Sequence, residues 1–362
     1  MYNIIISCPL IYNKAGGKLM KKLLLALSIA VAMSVPLGAA MAEEAGNGVP
    51  METAPSSYVY SNDKTGISLA LPENRVEDKN SNDFLYRAYL PDSGMSLSIL
   101  SHANSQPLPV AEVKREQEKA KKFLEESIRN SGEKQVSLRQ VIVHGETALL
   151  AETEGSGNDG KFTVLRYVFT LPGGTYMVSW TMKKEDLKGN RNLVQSIMDG
   201  VRFFAVMQKV SVKGTTYTYD IPADMKVDYD PPIAPDHVLV AGNRNLMTGV
   251  LALPIKGNGD FSFLPESLSS LTEAQKQDIT SHFKNKLASE STGKYVKNVT
   301  FRFMPIHGRD GLVLDFDDQG DHSRSYIFVK DGKYISFDYI YNIKERDYAE
   351  KVIEQSVNSI SL

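Results

Sequence analysis

The chain of 362 residues contains a single cysteine, Cys8. We expect the N-terminal segment that carries it to be absent from the final protein, which then has no disulfide, no thiolate metal site and no cysteine for lipid attachment. Small exported domains often need disulfides because their hydrophobic cores are small. This chain is long enough for two domains of about 150 residues, each with an adequate core of its own.

An excess of basic residues is also absent. The sequence has 41 Lys and Arg against 43 Asp and Glu, and residues 1–42 contribute four lysines and no acid, so 37 and 43 remain beyond them. The resulting net charge of about −6 is ordinary for a soluble protein. It predicts that nucleic acid is not a partner, since clustered Lys and Arg are expected there, and that an anionic membrane surface is not bound tightly.

Familiar catalytic and cofactor motifs are missing. The sequence has no HExxH pair, no Gly-Xaa-Ser-Xaa-Gly turn, and no Walker or dinucleotide-binding glycine pattern. We therefore predict no catalytic residue, no cofactor and no metal site, and a protein that is not an enzyme. Carboxylates brought together only by folding leave one alternative, an envelope hydrolase with a site at the interface of two domains.

Two features resemble chemical sites and have simpler explanations. The run from Asp315 to Asp321 resembles the start of a calcium-binding EF-hand loop, but the twelfth position needs a Glu and here holds Tyr326. We interpret the run as an acidic hairpin turn, with weak calcium binding as the alternative. His144-Gly145 and His307-Gly308 occupy equivalent places in the chain, and we interpret both as turns between strands.

Long apolar runs are scarce, and the most notable one spans Leu23 to Val35. Lysines precede this run, and Ala40-Met41-Ala42 follows it with the small-x-small pattern of a signal peptidase site. The run is shorter than the roughly 20 residues of a membrane-spanning helix. We predict a signal peptide over 20–42, cleavage between Ala42 and Glu43, export to the periplasm or the extracellular space, and no stable membrane insertion after cleavage.

The remaining N-terminal residues fit neither this signal nor a domain. We expect residues 1–19 to be a non-native extension before a natural start at Met20, and residues 43–57 to be a disordered linker.

Beyond the linker, the sequence contains the same order of elements twice. Each copy has strands, one amphipathic helix, four further strands separated by turns, and a short closing helix. We predict a first domain over 58–206 and a second over 207–362. The matching segments are Leu71-Pro72 with Ile221-Pro222, His144-Gly145 with His307-Gly308, Gly174-Thr175-Tyr176 with Gly332-Lys333-Tyr334, and Val201-Arg202-Phe203 with Ile360-Ser361-Leu362.

The helices carry the clearest local signals. Apolar residues at helical spacing predict a helix over Val110–Asn130, ended by Gly132. Thr272, with Gln275 three residues later, predicts a capping box at the start of the second central helix. Four strand-like runs follow the first of these helices and predict an antiparallel meander: Gln135–Val143, Thr147–Glu154, Phe162–Leu171 and Thr175–Met182.

Each copy has an opening strand that ends in Leu71-Pro72 or Ile221-Pro222, followed by a hairpin, a central helix, a four-strand meander and a final helix. This order of elements resembles the PsbP/Mog1-like fold, which includes exported bacterial DcrB-like proteins. The resemblance covers nearly all of the chain after the linker as a pattern of elements. It implies an α+β fold of two tandem similar domains, each a mostly antiparallel sheet flanked by helices. Members of this family are mostly non-enzymatic accessory or binding proteins, and a shared fold does not transfer a function.

The second copy has longer connections with apolar residues, and these give the candidate binding residues: Pro232, Ile233, Phe261, Phe263 and Leu264. Apolar loop residues meet a partner or tuck under the loop against the core. The prediction is therefore an exported, non-catalytic binding or accessory protein of the cell envelope. Its partner is unknown, with an envelope protein or a small ligand as the candidates.

Overall fold

The computed structural model describes residues 57–79, 84–157, 160–229, 231, 237–257, 261–289, 295–306 and 308–362. The predicted extension, the signal peptide with Ala42 and Glu43, and residues 43–56 of the predicted linker lie outside these ranges, as do Pro232, Ile233 and His307. The described residues divide into two compact units, one ending at Phe204 and the other beginning at Ala205.

The described part of the first domain contains twelve elements in chain order, apart from single turns of 3-10 helix. They are β1 (Ser57–Asn62), β2 (Ile67–Pro72), β3 (Val76–Glu77), β4 (Tyr86–Leu90), β5 (Met95–Ala103), α1 (Val110–Asn130), β6 (Lys134–Val143), β7 (Glu146–Gly157), β8 (Gly160–Leu171), β9 (Gly174–Lys183), α2 (Leu187–Asp199) and β10 (Arg202–Phe203). Seven strands form an antiparallel sheet in the order β3-β4-β5-β9-β8-β7-β6, and β1-β2-β10 form a smaller sheet.

Side-chain alternation in the strands explains the layers of this domain, because successive residues of a strand face opposite sides of a sheet. On one face, Leu165, Tyr167 and Phe169 pack in a core with residues of β2 and α2. On the other face, Ala151 and Val168 pack against α1. The large sheet therefore lies between α1 and a layer made of α2 and the small sheet.

The helix α1 has the bounds that the sequence predicts. Leu124 and Ile128, four residues apart, are buried on its sheet-facing side. Gly132 follows the helix with a φ of +74°, a left-handed conformation that glycine adopts without the steric cost of a side chain. The predicted glycine termination is confirmed.

Among its described residues, the second domain contains eleven elements, again apart from 3-10 turns. They are β11 (Met207–Ser211), β12 (Thr218–Pro222), β13 (Lys226–Asp228), β14 (His237–Gly242), β15 (Met247–Pro254), α3 (Glu273–Ser289), β16 (Lys297–Ile306), β17 (Arg309–Asp318), β18 (Asp321–Lys330), β19 (Lys333–Asn342) and α4 (Arg346–Asn358). Its large sheet has the order β13-β14-β15-β19-β18-β17-β16, and β11 pairs with β12.

This domain has the same layers as the first. Ile279 and Phe283 of α3 pack on one face of the sheet, while Val352, Ile353 and Val357 of α4 pack on the other. The predicted capping box is present. The backbone N–H of Gln275 donates to Thr272 Oγ1 at 3.3 Å, and the backbone N–H of Thr272 donates to Gln275 Oε1 at 2.9 Å.

The two large sheets have the same strand order relative to the chain. Each closing segment also returns to the same place, since β10 pairs with β2 and Ser361 bridges to Thr218 of β12. The predicted α+β fold class, with two similar domains of antiparallel sheet and flanking helices, is confirmed. Descent of both domains from one duplicated module stays a prediction.

The acidic run from Asp315 to Asp321 forms the end of β17, a two-residue turn and the start of β18. Asp318 and Asp321 are directly paired across the strands, and between them Gln319 and Gly320 have φ angles of +52° and +99°. The run is therefore a hairpin, as interpreted from the sequence. None of the helices among the described residues is long and apolar enough to cross a membrane.

Candidate functional site

A groove of about 440 Å³ lies in the second domain between α4 and the strands β16 and β18. The helix α4 packs over β12 and β19, and the groove lies along its side next to β16 and β18. The groove is lined by Met304, Pro305, Ile306, Arg324, Tyr326, Glu350, Lys351, Ile353, Glu354, Val357 and Asn358. Its volume is within the usual range of small-ligand pockets.

A chain of charges crosses the groove from the sheet to the helix. Arg324 of β18 donates from Nε to Asp315 of β17 and from Nη1 to Glu350 of α4. The second carboxylate oxygen of Asp315 accepts from Arg302 of β16 at 2.7 Å, and Tyr341 donates to Glu350. These ion pairs fix the charged groups and hold α4 against the sheet.

His322 extends this network along the sheet. Its Nδ1 lies 2.7 Å from Asp317 Oδ1, and its Nε2 lies 3.4 Å from Asp315 Oδ1. Asn298 donates to the other oxygen of Asp317 at 2.6 Å. Two carboxylates and one imidazole are thus brought together. Across the described residues, however, no cluster of three or more His, Cys, Asp or Glu has the arrangement of a metal site.

Two carboxyl groups of this network, those of Asp315 and Asp317, are held ionised. Burial raises the pKa of Asp315, but the hydrogen bond and charge of Arg324, together with those of Arg302, outweigh it and leave the pKa below its ordinary value. Burial also raises the pKa of Asp317, and hydrogen bonds from Asn298 and His322 bring it below its ordinary value. A general acid needs the opposite shift, so these aspartates are suited to holding structure and charge in place.

The network predicts a pH dependence for the second domain. A carboxyl whose pKa is lower in the folded state stabilises above its unfolded pKa, about 4 for Asp, and that stabilisation is lost as the pH falls through the folded pKa. Asp315→Asn should therefore lower the melting temperature at pH 7, with the difference from wild type shrinking below about pH 4. Circular dichroism melts from pH 7 to 2 measure this.

The exposed residue Asp92 of the first domain provides the control. Asp92→Asn should leave the melting of the second domain unchanged at every pH. A difference between Asp315→Asn and wild type that stays constant across the pH range would contradict the assignment.

The first domain has a related ion pair at the equivalent place. Both α2 and α4 contain 13 residues and follow a three-residue 3-10 turn, and the fifth residue is Arg191 in one and Glu350 in the other. Arg191 Nη2 lies 3.1 Å from both carboxylate oxygens of Glu152. Each closing helix is thus joined to its sheet by charge at the same position, with the sign of the helix residue reversed.

Sequence reasoning missed this network, although a signal for it was present. Arg139 and Arg302 each lie five residues before the histidine of a His-Gly dipeptide, while Glu152 and Asp315 each lie eight residues after that histidine. Counting the same number of residues from each His-Gly dipeptide would have identified Arg139 with Arg302, and Glu152 with Asp315, as equivalent positions of the two domains. His144 itself has a φ of +48° in the turn between β6 and β7, in agreement with its interpretation as a turn residue.

The candidate binding residues from the long connections lie elsewhere. Phe261 and Leu264 are buried in the core beneath α3, and Phe261 stacks on Tyr334 with ring centroids 4.1 Å apart. Phe263 is half-buried and stacks on His282 at 4.5 Å. The structure therefore places Phe261 and Leu264 in the core, the alternative stated from the sequence, and brings neither to the groove.

Comparisons with known proteins give similarities of fold. No protein-family model and no curated protein matches this chain. Cyanobacterial PsbP (CyanoP) from Synechocystis sp. PCC 6803 is similar over 44% of this chain and 98% of its own length, with 13% identity and a TM-score of 0.31. A structure from Bacteroides thetaiotaomicron is similar over 75% of this chain and 89% of its own, with 10% identity and a TM-score of 0.31.

The immunity protein TplEi of the T6SS of Pseudomonas aeruginosa is similar over 86% of this chain and 97% of its own, with 11% identity and a TM-score of 0.23. A PsbP structure is thus among those that this chain resembles, as suspected from the order of its elements. At these TM-scores the similarities carry no argument about function.

Proposed function

We propose that this chain is an exported, non-catalytic binding or accessory protein of the cell envelope, and that the groove of its second domain holds the ligand. The observation that carries this proposal is the composition of the groove. Ile306, Ile353 and Val357 are buried apolar side chains along it, and ion-paired Arg324 and Glu350 stand beside them. An apolar surface with a few fixed polar groups is typical of ligand sites.

The same composition indicates the kind of ligand. Apolar lining favours an apolar body, and the fixed charges favour one polar or charged end. Both an amphipathic small molecule and a side chain of an envelope protein meet this description.

Catalysis is less well supported by the groove. The carboxyl pKa values of Asp315 and Asp317 are lowered, whereas a hydrolase site pairs an ionised carboxylate with one whose pKa is raised. Burial does raise the pKa of Asp224, but Asp224 does not line the groove. The alternative of an envelope hydrolase therefore has no specific observation in its favour among the described residues.

Export is proposed from the sequence, on the lysines before Leu23, the short apolar run and the small residues up to Ala42. The N-terminus of the protein purified from bacterial culture tests it, and a chain that still begins at or before Met20 would contradict it.

Met304→Lys tests the groove directly. Met304 lines the groove and is 42% exposed, so the substitution should not unfold the domain. It places a charge against the apolar lining, which disfavours an apolar ligand. The expected result is a dissociation constant for Nile red, an uncharged apolar probe, that is about tenfold higher than for wild type.

Val76→Lys is the matched control, because Val76 is 57% exposed and lies in β3 of the first domain. This variant should bind the probe as wild type does. Equal binding by all three proteins would contradict the groove as the ligand site. Native mass spectrometry of the protein from envelope extracts extends the test, since an adduct present in wild type should be lost in Met304→Lys alone.

A further inference from the structure

The two large sheets end in corresponding edge strands that differ at one decisive position. Both β6 and β16 contain ten residues, and each ends in a residue paired with the first residue of the next strand. Val143 pairs with Glu146, and Ile306 pairs with Arg309. The next residue back from the turn is Ile142 in β6, paired with Thr147, and Pro305 in β16, paired with Asp310.

The turn geometry decides which backbone groups of β6 point away from the sheet. His144 and Gly145 both have positive φ, as in a type I′ turn, and such a turn is flanked by a hydrogen-bonded pair. Hydrogen-bonded and non-bonded pairs then alternate along the strand. The N–H and C=O groups of Leu138, Gln140 and Ile142 therefore face outward.

Pro305 supports this alternation independently. Proline has no N–H, so it fits a strand only where the N–H would face away from the neighbouring strand. The same residue closes the edge of β16 to any further strand, a common protection of sheet edges. At the equivalent position β6 has Ile142, whose side chain is 65% exposed.

The regular part of the β6 edge is short and symmetric. The pairing with β7 shifts register between Gln135 and Ser137, so the continuous edge runs over 137–143. Its three outward-facing residues are centred on Gln140, with Leu138 and Ile142 at equal distances on either side. Within the described residues, β6 pairs with β7 alone.

We propose that β6 of the first domain pairs antiparallel with β6 of a second copy of this chain, about a two-fold axis at Gln140. Leu138 of one copy then lies opposite Ile142 of the other, and both belong to outward-facing, hydrogen-bonding positions. Arg139 lies opposite Val141, so no like charges face each other across the axis. The pairing is self-complementary, as the interface of a symmetric dimer must be.

Other registers fit less well. An axis at Leu138 brings the register shift near Gln135 into the pairing. An axis at Arg139 opposes two arginines and places Ile142 opposite Val136, within that register shift. Only the register at Gln140 uses every outward-facing group of the regular edge. This inference is independent of the groove in the second domain.

Ile142→Pro tests the proposal by giving β6 the residue that β16 has. The N–H lost is not used by β7, so the monomer should fold, with a melting temperature close to that of wild type. In sedimentation experiments wild type should form a concentration-dependent dimer, and Ile142→Pro should remain a monomer at every concentration. Val76→Lys, which removes exposed apolar surface from the opposite edge of the same sheet, should dimerise as wild type does.

Gln140→Cys in a Cys8→Ser background tests the register. Directly opposed residues in a hydrogen-bonded pair have Cα atoms about 5.5 Å apart, within the reach of a disulfide. Oxidation should therefore give a covalent dimer for Gln140→Cys and none for Arg139→Cys, which faces Val141. A monomeric wild type without a disulfide in Gln140→Cys, or an Ile142→Pro variant that dimerises as wild type does, would overturn the proposal.

Discussion

Replacing Arg166 with methionine should lower the free energy of unfolding of the first domain by about 3–5 kcal/mol, the usual cost of removing one partner of a buried ion pair. Arg166 is 1% exposed, and its two terminal nitrogens donate to the carboxylate oxygens of Glu133 at 2.7 and 2.8 Å. Thr153 donates to the same carboxylate at 2.5 Å. The variant leaves Glu133 buried without its counter-charge. Urea denaturation followed by tryptophan fluorescence measures the change, because the chain's one tryptophan, Trp180, is in this domain's core.

Lys184→Met is the matched control. Lys184 Nζ lies 2.7 Å from Glu154, the same distance as in the buried pair, but its side chain is 45% exposed. Water screens such a pair, so little change is expected. Replacing both partners, Arg166→Met with Glu133→Leu, should recover much of the lost stability. If Arg166→Met unfolds at the same urea concentration as Lys184→Met, the ion pair is not the stabilising contact described.

Phe261→Ser should lower the free energy of unfolding of the second domain by about 3–5 kcal/mol, as expected when a buried phenylalanine is truncated. Phe261 is 7% exposed and stacks on Tyr334 of β19, and Lys286 of α3 lies 4.6 Å from its ring centroid. The substitution leaves a cavity between helix and sheet. A fall in the melting temperature of this domain measures the effect.

Phe263→Ser gives the comparison for this site. Phe263 is only half-buried and contacts His282 and Phe283 of α3, so its loss should cost less than that of Phe261. Both variants should keep wild-type binding of the apolar probe, because neither residue lines the groove. Lost binding without a change in melting temperature would restore these residues as ligand contacts.

The elements that depend on local sequence were predicted well. The helix over Val110–Asn130 has the predicted bounds, since its apolar stripe and the glycine after it are both local signals. The four-strand meander was predicted for the same reason, with β7 extending three residues beyond the predicted Glu154.

The groove could not be predicted in the same way. Arg302, Arg324 and Glu350 come from two strands and a helix, and Arg324 and Glu350 are 26 residues apart in the chain. The spacing from the His-Gly dipeptides relates Arg302 to Arg139, but no pattern along the sequence shows that Arg324 and Glu350 meet. Their pairing depends on where α4 crosses the sheet, and that position is set by the packing of Ile353 and Val357.

By itself the sequence determined the order of the elements, their turns and the likeness of the two halves, because hydrophobic period and turn residues act over a few neighbours. The sequence also contains the difference between Ile142 and Pro305, but only the structure shows that both residues lie in edge strands of their sheets. The tertiary structure alone decided which charges meet, which apolar loop residues are buried and where a groove remains. Those outcomes depend on contacts between distant segments, which become defined only when the layers pack.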